Sequence, residues 1–199
     1  MKKDKTEIGI ILDKSGSMNI IRNDIIGSFN TFVDEQKEIP GECNVWLTVF
    51  SDSYEHVLCS EPLEKIERLN PGNYNPGGCT ALNDSVYSTI NKMGQHFSDM
   101  PEEERPEKVL IVIITDGEEN ASKEVSHEKL SEVIKHQQEK YNWEFMYIGT
   151  DDLNVQDIAK SYNIKPSQTI LYSRSAAGVS NMTAGFSSYV RGYRTGNNS

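Results

Sequence analysis

Three short stretches of the chain collect oxygen-bearing side chains immediately behind or beside apolar runs. They read Asp13-Lys14-Ser15-Gly16-Ser17-Met18, Gly77-Gly78-Cys79-Thr80 and Thr115-Asp116-Gly117-Glu118. Asp13, Ser15, Ser17, Thr80 and Asp116 together offer two carboxylates and three hydroxyls, hard donors suited to a small octahedral cation that keeps part of its water. Mg²⁺ is the expected ion, with Mn²⁺ or Ca²⁺ as substitutes. Alternate residues of the first stretch can face one point, and Gly16 lets the backbone turn sharply without a Cβ clash. With only two formal negative charges around it, a dication stays electrophilic enough to accept another anionic oxygen, such as a partner's carboxylate.

These donors can act together only if strands deliver them to one edge of a sheet. In open parallel sheets that edge is the carboxyl one, so the residues just after each apolar run are the ones to inspect. Residues 6–13 and 108–115 are short, continuous apolar runs of the kind that form buried central strands, each ending in polar residues and glycine. Residues 43–50 and 54–59 are β-rich and separated by Ser51-Asp52-Ser53, which predicts a hairpin at a sheet edge. Further strands are expected at 143–149 and 169–172. Ile21, Ile25, Ile26, Phe29, Phe32 and Val33 recur at helical spacing within 18–38 before Pro40-Gly41 stops the pattern. Similar reasoning places helices at 81–97, 124–139, 153–162 and 176–190, while the proline-, glycine- and asparagine-rich stretch 70–79 is a shaped loop that delivers Thr80. Strands alternating with helices imply a three-layer αβα, Rossmann-like fold. Its central sheet is six-stranded and mostly parallel with one antiparallel edge strand. A single domain over 1–199 is expected, with a core at 6–191 and a flexible tail at 192–199.

Composition narrows the function. The 199 residues carry a net charge of -10 and no Lys/Arg cluster, which disfavours nucleic acid and anionic membrane as partners. No apolar run approaches the ~20 residues of a membrane span, and no cleavage-site pattern follows the first residues. A cytoplasmic location is therefore expected. Cys43, Cys59 and Cys79 are odd in number and widely spaced, so they read as reduced and mostly buried thiols rather than a disulfide or zinc framework. Glu118, Glu119 and the acidic stretch 102–107 read as solvated charge. The four histidines have no mutual ligand spacing.

Asp-x-Ser-x-Ser after a first strand, a Thr in a glycine-rich loop and Thr-Asp-Gly after a later strand resemble the metal-ion-dependent adhesion site of von Willebrand factor type A (VWA) and integrin inserted domains. The resemblance extends over the element order from Ile8 to Val190. It implies that Ser15, Ser17 and Thr80 bind metal through hydroxyls, and Asp13 and Asp116 directly or through water. It implies a metal-dependent protein-binding module, an adaptor or assembly factor whose partner presents Asp or Glu, and a partnership with AAA+ ATPases. Lys14 inside the first motif fits intracellular members of the family better than extracellular ones.

Catalysis is less well supported. A Mg²⁺-dependent phosphohydrolase of the haloacid dehalogenase type also has Asp after its first strand, but its second Asp two residues on is Ser15 here. Neither G-x-x-x-x-G-K-[ST] nor G-x-S-x-G occurs, so nucleotide and serine-hydrolase chemistry lack their loops.

Overall fold

The computed structural model describes residues 1–197. Six strands, β1 (Lys2–Asp13), β2 (Glu42–Phe50), β3 (Tyr54–Pro62), β4 (Pro106–Ile114), β5 (Glu144–Thr150) and β6 (Thr169–Tyr172), form one sheet in the order β3-β2-β1-β4-β5-β6. Every neighbouring pair is parallel except β2 and β3, the edge hairpin. The expected six-stranded αβα architecture is the one observed.

Alternation along the strands explains the two covered faces. Ile8, Ile10 and Leu12 of β1, with Leu110, Val112 and Ile114 of β4, pack against α1 (Arg22–Lys37) and α5 (Ala176–Thr195) through Ile25, Phe29, Phe32, Met182 and Phe186. Ile11, Ile111, Ile113, Phe145 and Tyr147 point the other way. They meet α2 (Leu82–Asp99), α3 (His127–Tyr141) and α4 (Val155–Ser161) through Val86, Ile90, Met93, Ile134 and Ala159. Burying each large apolar side chain contributes about 1.5–3 kcal/mol, so the two layers of contacts fix the strands firmly. β1 has β2 on one side and β4 on the other. The chain thus reverses its direction of sheet growth at β1, and the loops after β1 and β4 flank the crevice that such a switch opens.

Several boundaries differ from expectation for identifiable reasons. The helix expected from residue 18 begins at Arg22, because Gly16–Ile21 is wound more tightly as a 3₁₀ turn. The Gly16 N–H is already committed to the Gly78 carbonyl at 3.0 Å and that of Met18 to Ser15 at 3.2 Å. The tail expected from 192 is instead helical through Thr195, with Tyr193 and Arg194 buried. The Arg194 guanidinium donates to the carbonyls of Gln36, Ile39 and Gly41 at 2.6, 3.0 and 3.0 Å, tying the end of α5 to the end of α1 and the turn that follows it. Residues 198–199 of that tail lie outside the described residues. Only Cys43 among the thiols is buried; Cys59 and Cys79 are exposed, the first on the outward side of an edge strand and the second on the glycine-rich loop. Among the described residues no helix is long and apolar enough to cross a membrane.

Candidate metal site

The loop after β1 is held from three sides. Lys14 donates its N–H to Phe50 O at the end of β2 (2.6 Å) and accepts from Gly77 N (2.8 Å). Tyr74, wholly buried in the loop at 70–79, donates its hydroxyl to the Asp13 carbonyl at 2.6 Å. Gly78 adopts φ +84°, and a side chain there would run into the Asp52 carboxylate, so glycine is required where this loop crosses the site. Asp52 in turn accepts the Cys79 N–H at 3.0 Å.

Four of the five candidate ligands lie in one hydrogen-bonded chain. Asp13 Oδ1 accepts from the Ser15 N–H (2.6 Å) and Oδ2 from the Thr115 hydroxyl (2.6 Å). Ser15 Oγ and Ser17 Oγ are 3.1 Å apart, and Ser17 donates to Asp116 Oδ1 at 2.5 Å. Thr80 comes in from another side. Its hydroxyl faces Gly117, where an added Cβ would stand 3.3 Å away, and among the described residues it makes no hydrogen bond to the other four. Asn120 holds Thr80 in place, accepting its N–H on Oδ1 (2.9 Å) and donating its own N–H to the Thr80 carbonyl (3.0 Å).

Asp13, Ser15, Thr80 and Asp116 are all buried. Burial is the main cause that pushes the Asp13 carboxyl up to about 6, against the hydrogen bonds from Thr115 and Ser15, with the Asp116 charge adding to the rise. Asp13 has no cationic partner among the described residues. Two buried carboxylates ringed by hydroxyls, of which Asp13 has no positive charge beside it, form a donor set that a divalent cation fits. Among the described residues there is no group of three or more His, Cys, Asp or Glu poised for a metal, so a cation here must rely on hydroxyls.

Further participants were not foreseen. Arg174, in the loop after β6, donates Nε to Asp116 Oδ2 at 3.0 Å, a terminal nitrogen to the Asp116 carbonyl at 2.5 Å, and the other to Asp152 Oδ2 at 2.6 Å. Burial opposes its charge, and the two carboxylates more than restore it. Glu119, expected to be solvated, accepts from the N–H groups of Asn83, Ala121 and Ser122 and so pins the loop after β4 to the start of α2. Asp84 accepts from Lys123, Glu124 and Val125 in the same way. The Asp152 and Arg174 pair was discoverable from the rule already in use, because both follow strand ends. Nothing in the sequence around Glu119 distinguishes it from surface charge.

The fold has known counterparts. The manganese-loaded TRAP protein of Plasmodium vivax superposes with a TM-score of 0.62 at 15% identity, over 92% of this chain and 72% of that one. Proximal thread matrix protein 1 from the mussel byssus, with a zinc-occupied MIDAS motif, gives 0.65 at 14% identity over 94% and 46%. The ArnB paralog VWA2 from Sulfolobus acidocaldarius gives 0.61 at 19% identity over 92% and 44%. The chain spans under half the length of the mussel and Sulfolobus proteins. No protein-family model and no curated protein sequence matches it. The structural neighbours are VWA domains, and the chain has the VWA fold. One of these neighbours carries zinc in a MIDAS motif and another is manganese-loaded, which supports a divalent cation as the kind of group the fold accommodates.

Proposed function

We propose that this chain is a metal-dependent protein-binding module, working in the cytoplasm as an adaptor or assembly factor, and that Asp13, Ser15, Ser17, Thr80 and Asp116 hold one Mg²⁺. The observation that carries this reading is the convergence of two buried carboxylates and a string of hydroxyls from the loops after β1 and β4 at the carboxyl edge of the sheet, with the Thr80 hydroxyl approaching them at Gly117. When bound, the ion would supply Lewis acidity toward an anionic oxygen, here an Asp or Glu of the partner. The chain's own part is to fix the donors. Tyr74 and Lys14 hold the first loop, Asn120 holds Thr80, and Thr115 orients the Asp13 carboxylate. A component of an AAA+ ATPase complex is the partner class we favour.

Catalysis is not part of the proposal. Both Asp13 oxygens already accept hydrogen bonds inside the protein, which leaves this carboxylate poorly disposed to attack phosphorus. The Cys79 thiol is pushed up, mainly by its hydrogen bond to Asp52, away from the thiolate form. Calorimetric titration with Mg²⁺, Mn²⁺ and Ca²⁺ tests the site, with Asp13→Ala and Asp116→Ala as the variants that must lose binding. Protein retained on the immobilised chain in Mg²⁺ but released by EDTA tests the function. Absence of heat with all three ions, or identical capture with and without EDTA, defeats the reading.

A further inference from the structure

We propose that Arg174 is a resident cation of this site, and that the affinity of the site for metal is set by competition between an incoming ion and the Arg174 guanidinium for Asp116. The inference rests on the metal-binding reading above and assigns a role to a residue outside the five ligands.

Asp116 is fully committed in the structure. Its Oδ1 accepts from Ser17, its Oδ2 from Arg174 Nε, and its main-chain oxygen from a second Arg174 nitrogen. A guanidinium presents its donors in a fixed planar fork, and this one addresses the carboxylate and the carbonyl of the same residue. The Asp116 side chain has no exposure and that of Arg174 has 30%, so the pair is shielded from salt as a surface pair is not. Of the only two formal negative charges that the donor set holds, one is therefore already neutralised.

The seat of the arginine is built rather than loose. Ser175 N donates to Ser173 O at 2.7 Å, and the two serine hydroxyls are 2.9 Å apart. Ser175 caps α5 by accepting from Gly178 N at 3.1 Å, and a Cβ on Gly178 would collide with the Ser173 carbonyl oxygen. On the neighbouring strand end, Asp151 N donates to Tyr172 O at 2.9 Å, which sets Asp152 beside the guanidinium for its third contact. The arginine is thus held against Asp116 by its own loop and by Asp152. An ion drawing on the Asp116 carboxylate must displace part of that contact or share the carboxylate with a like charge, and both lower its affinity.

The test uses the whole chain stripped of metal with EDTA. Mg²⁺ and Mn²⁺ are titrated calorimetrically into the unaltered protein, Arg174→Gln and Arg174→Lys. In parallel, the Arg174 side-chain N–H resonance of the unaltered protein is followed as metal is added. Arg174→Gln is expected to bind both ions about tenfold more tightly, equivalent to ~1.4 kcal/mol. Arg174→Lys keeps the charge without the fork and should fall between the two. The Arg174 resonance should shift in step with occupancy, and that readout does not depend on a variant folding. Equal or weaker metal affinity in Arg174→Gln, or a resonance indifferent to saturation, overturns the competition and leaves the metal reading standing. Binding by none of the three chains overturns both.

Discussion

Replacing Asp13 by Asn should stabilise the metal-free protein while removing its metal affinity, a pairing of effects expected of a site that stores unfavourable charge. Asp13 is fully buried, and its carboxyl rises from an ordinary 3.8 to about 6 on folding, chiefly through burial. That rise amounts to about 3 kcal/mol of penalty on the ionised form. The folded chain holds the proton more tightly than the unfolded one. Between about 3.8 and 6 the native state therefore carries the extra proton, and stability falls as pH rises. The penalty is absent below that window and complete above it. Asn removes the charge but keeps one acceptor for Ser15 N, and its amide can donate to a rotated Thr115 hydroxyl, so part of the gain survives. We expect about 1–3 kcal/mol of stabilisation at pH 7 in EDTA, shrinking toward zero near pH 4. Urea unfolding of both chains at several pH values measures it, and the difference between them cancels other carboxyls such as Glu42, held low by Lys2. In saturating Mg²⁺ the order should reverse, because only the unaltered chain gains binding energy. Loss of stability in the Asn variant at pH 7 without metal would refute the reasoning.

Other outcomes follow from contacts described above. Asn120→Ala leaves the Thr80 N–H without its acceptor; about 1–2 kcal/mol of stability should be lost by denaturant titration, and calorimetry should show weaker metal binding. Tyr74→Phe removes the donor to the Asp13 carbonyl and should lower stability by about 1–2 kcal/mol while metal still binds, which separates support of the loop from ligation. Arg194→Ala opens the end of α1 and leaves buried carbonyls unmet; a loss of about 2–4 kcal/mol is expected, and a fully stable variant would mean that water replaces the guanidinium. Metal affinity itself should weaken below about pH 6, as Asp13 takes up a proton that competes with the ion, a trend readable by titration at stepped pH.

The central strands, and the polar residues at which they end, were legible because each signal was local. A buried parallel strand is a continuous apolar run, and the residues that end it are visible beside it, as at Asp13 and at Thr115-Asp116. What escaped was what depends on distant pairing. Glu119 and Asp84 look like ordinary surface acids until the fold brings backbone N–H groups from another segment onto them. Arg174 and Asp152 could be noticed as residues after strand ends, but that they meet each other and Asp116 depends on the closeness of β6 to β5 and β4. The end of α5 was a different kind of miss. Tyr193 follows Phe186 and Val190 at helical spacing, so the periodic signal was present, and the neighbouring glycine and arginines obscured it. Cys79 was misjudged because an apolar residue type in a glycine-rich loop has no periodic context to say which way it faces.

The seam between β1 and β4 has a kinetic consequence. Asp13, Ser15 and Ser17 belong to the first half of the sheet and Asp116 to the second, and within the sheet the halves join where β1 and β4 pair. An unfolded or half-assembled chain holds the carboxylates far apart and offers an ion no site, so an ion would fasten the structure only after the seam has closed. Metal should then slow unfolding much more than it speeds folding. In stopped-flow measurements, Mg²⁺ would lower the unfolding limb of the chevron and leave the refolding limb almost where it was. A chain of this design could be short-lived when stripped of metal and persistent when loaded, with the lifetime of the folded state set by the ion supply around it.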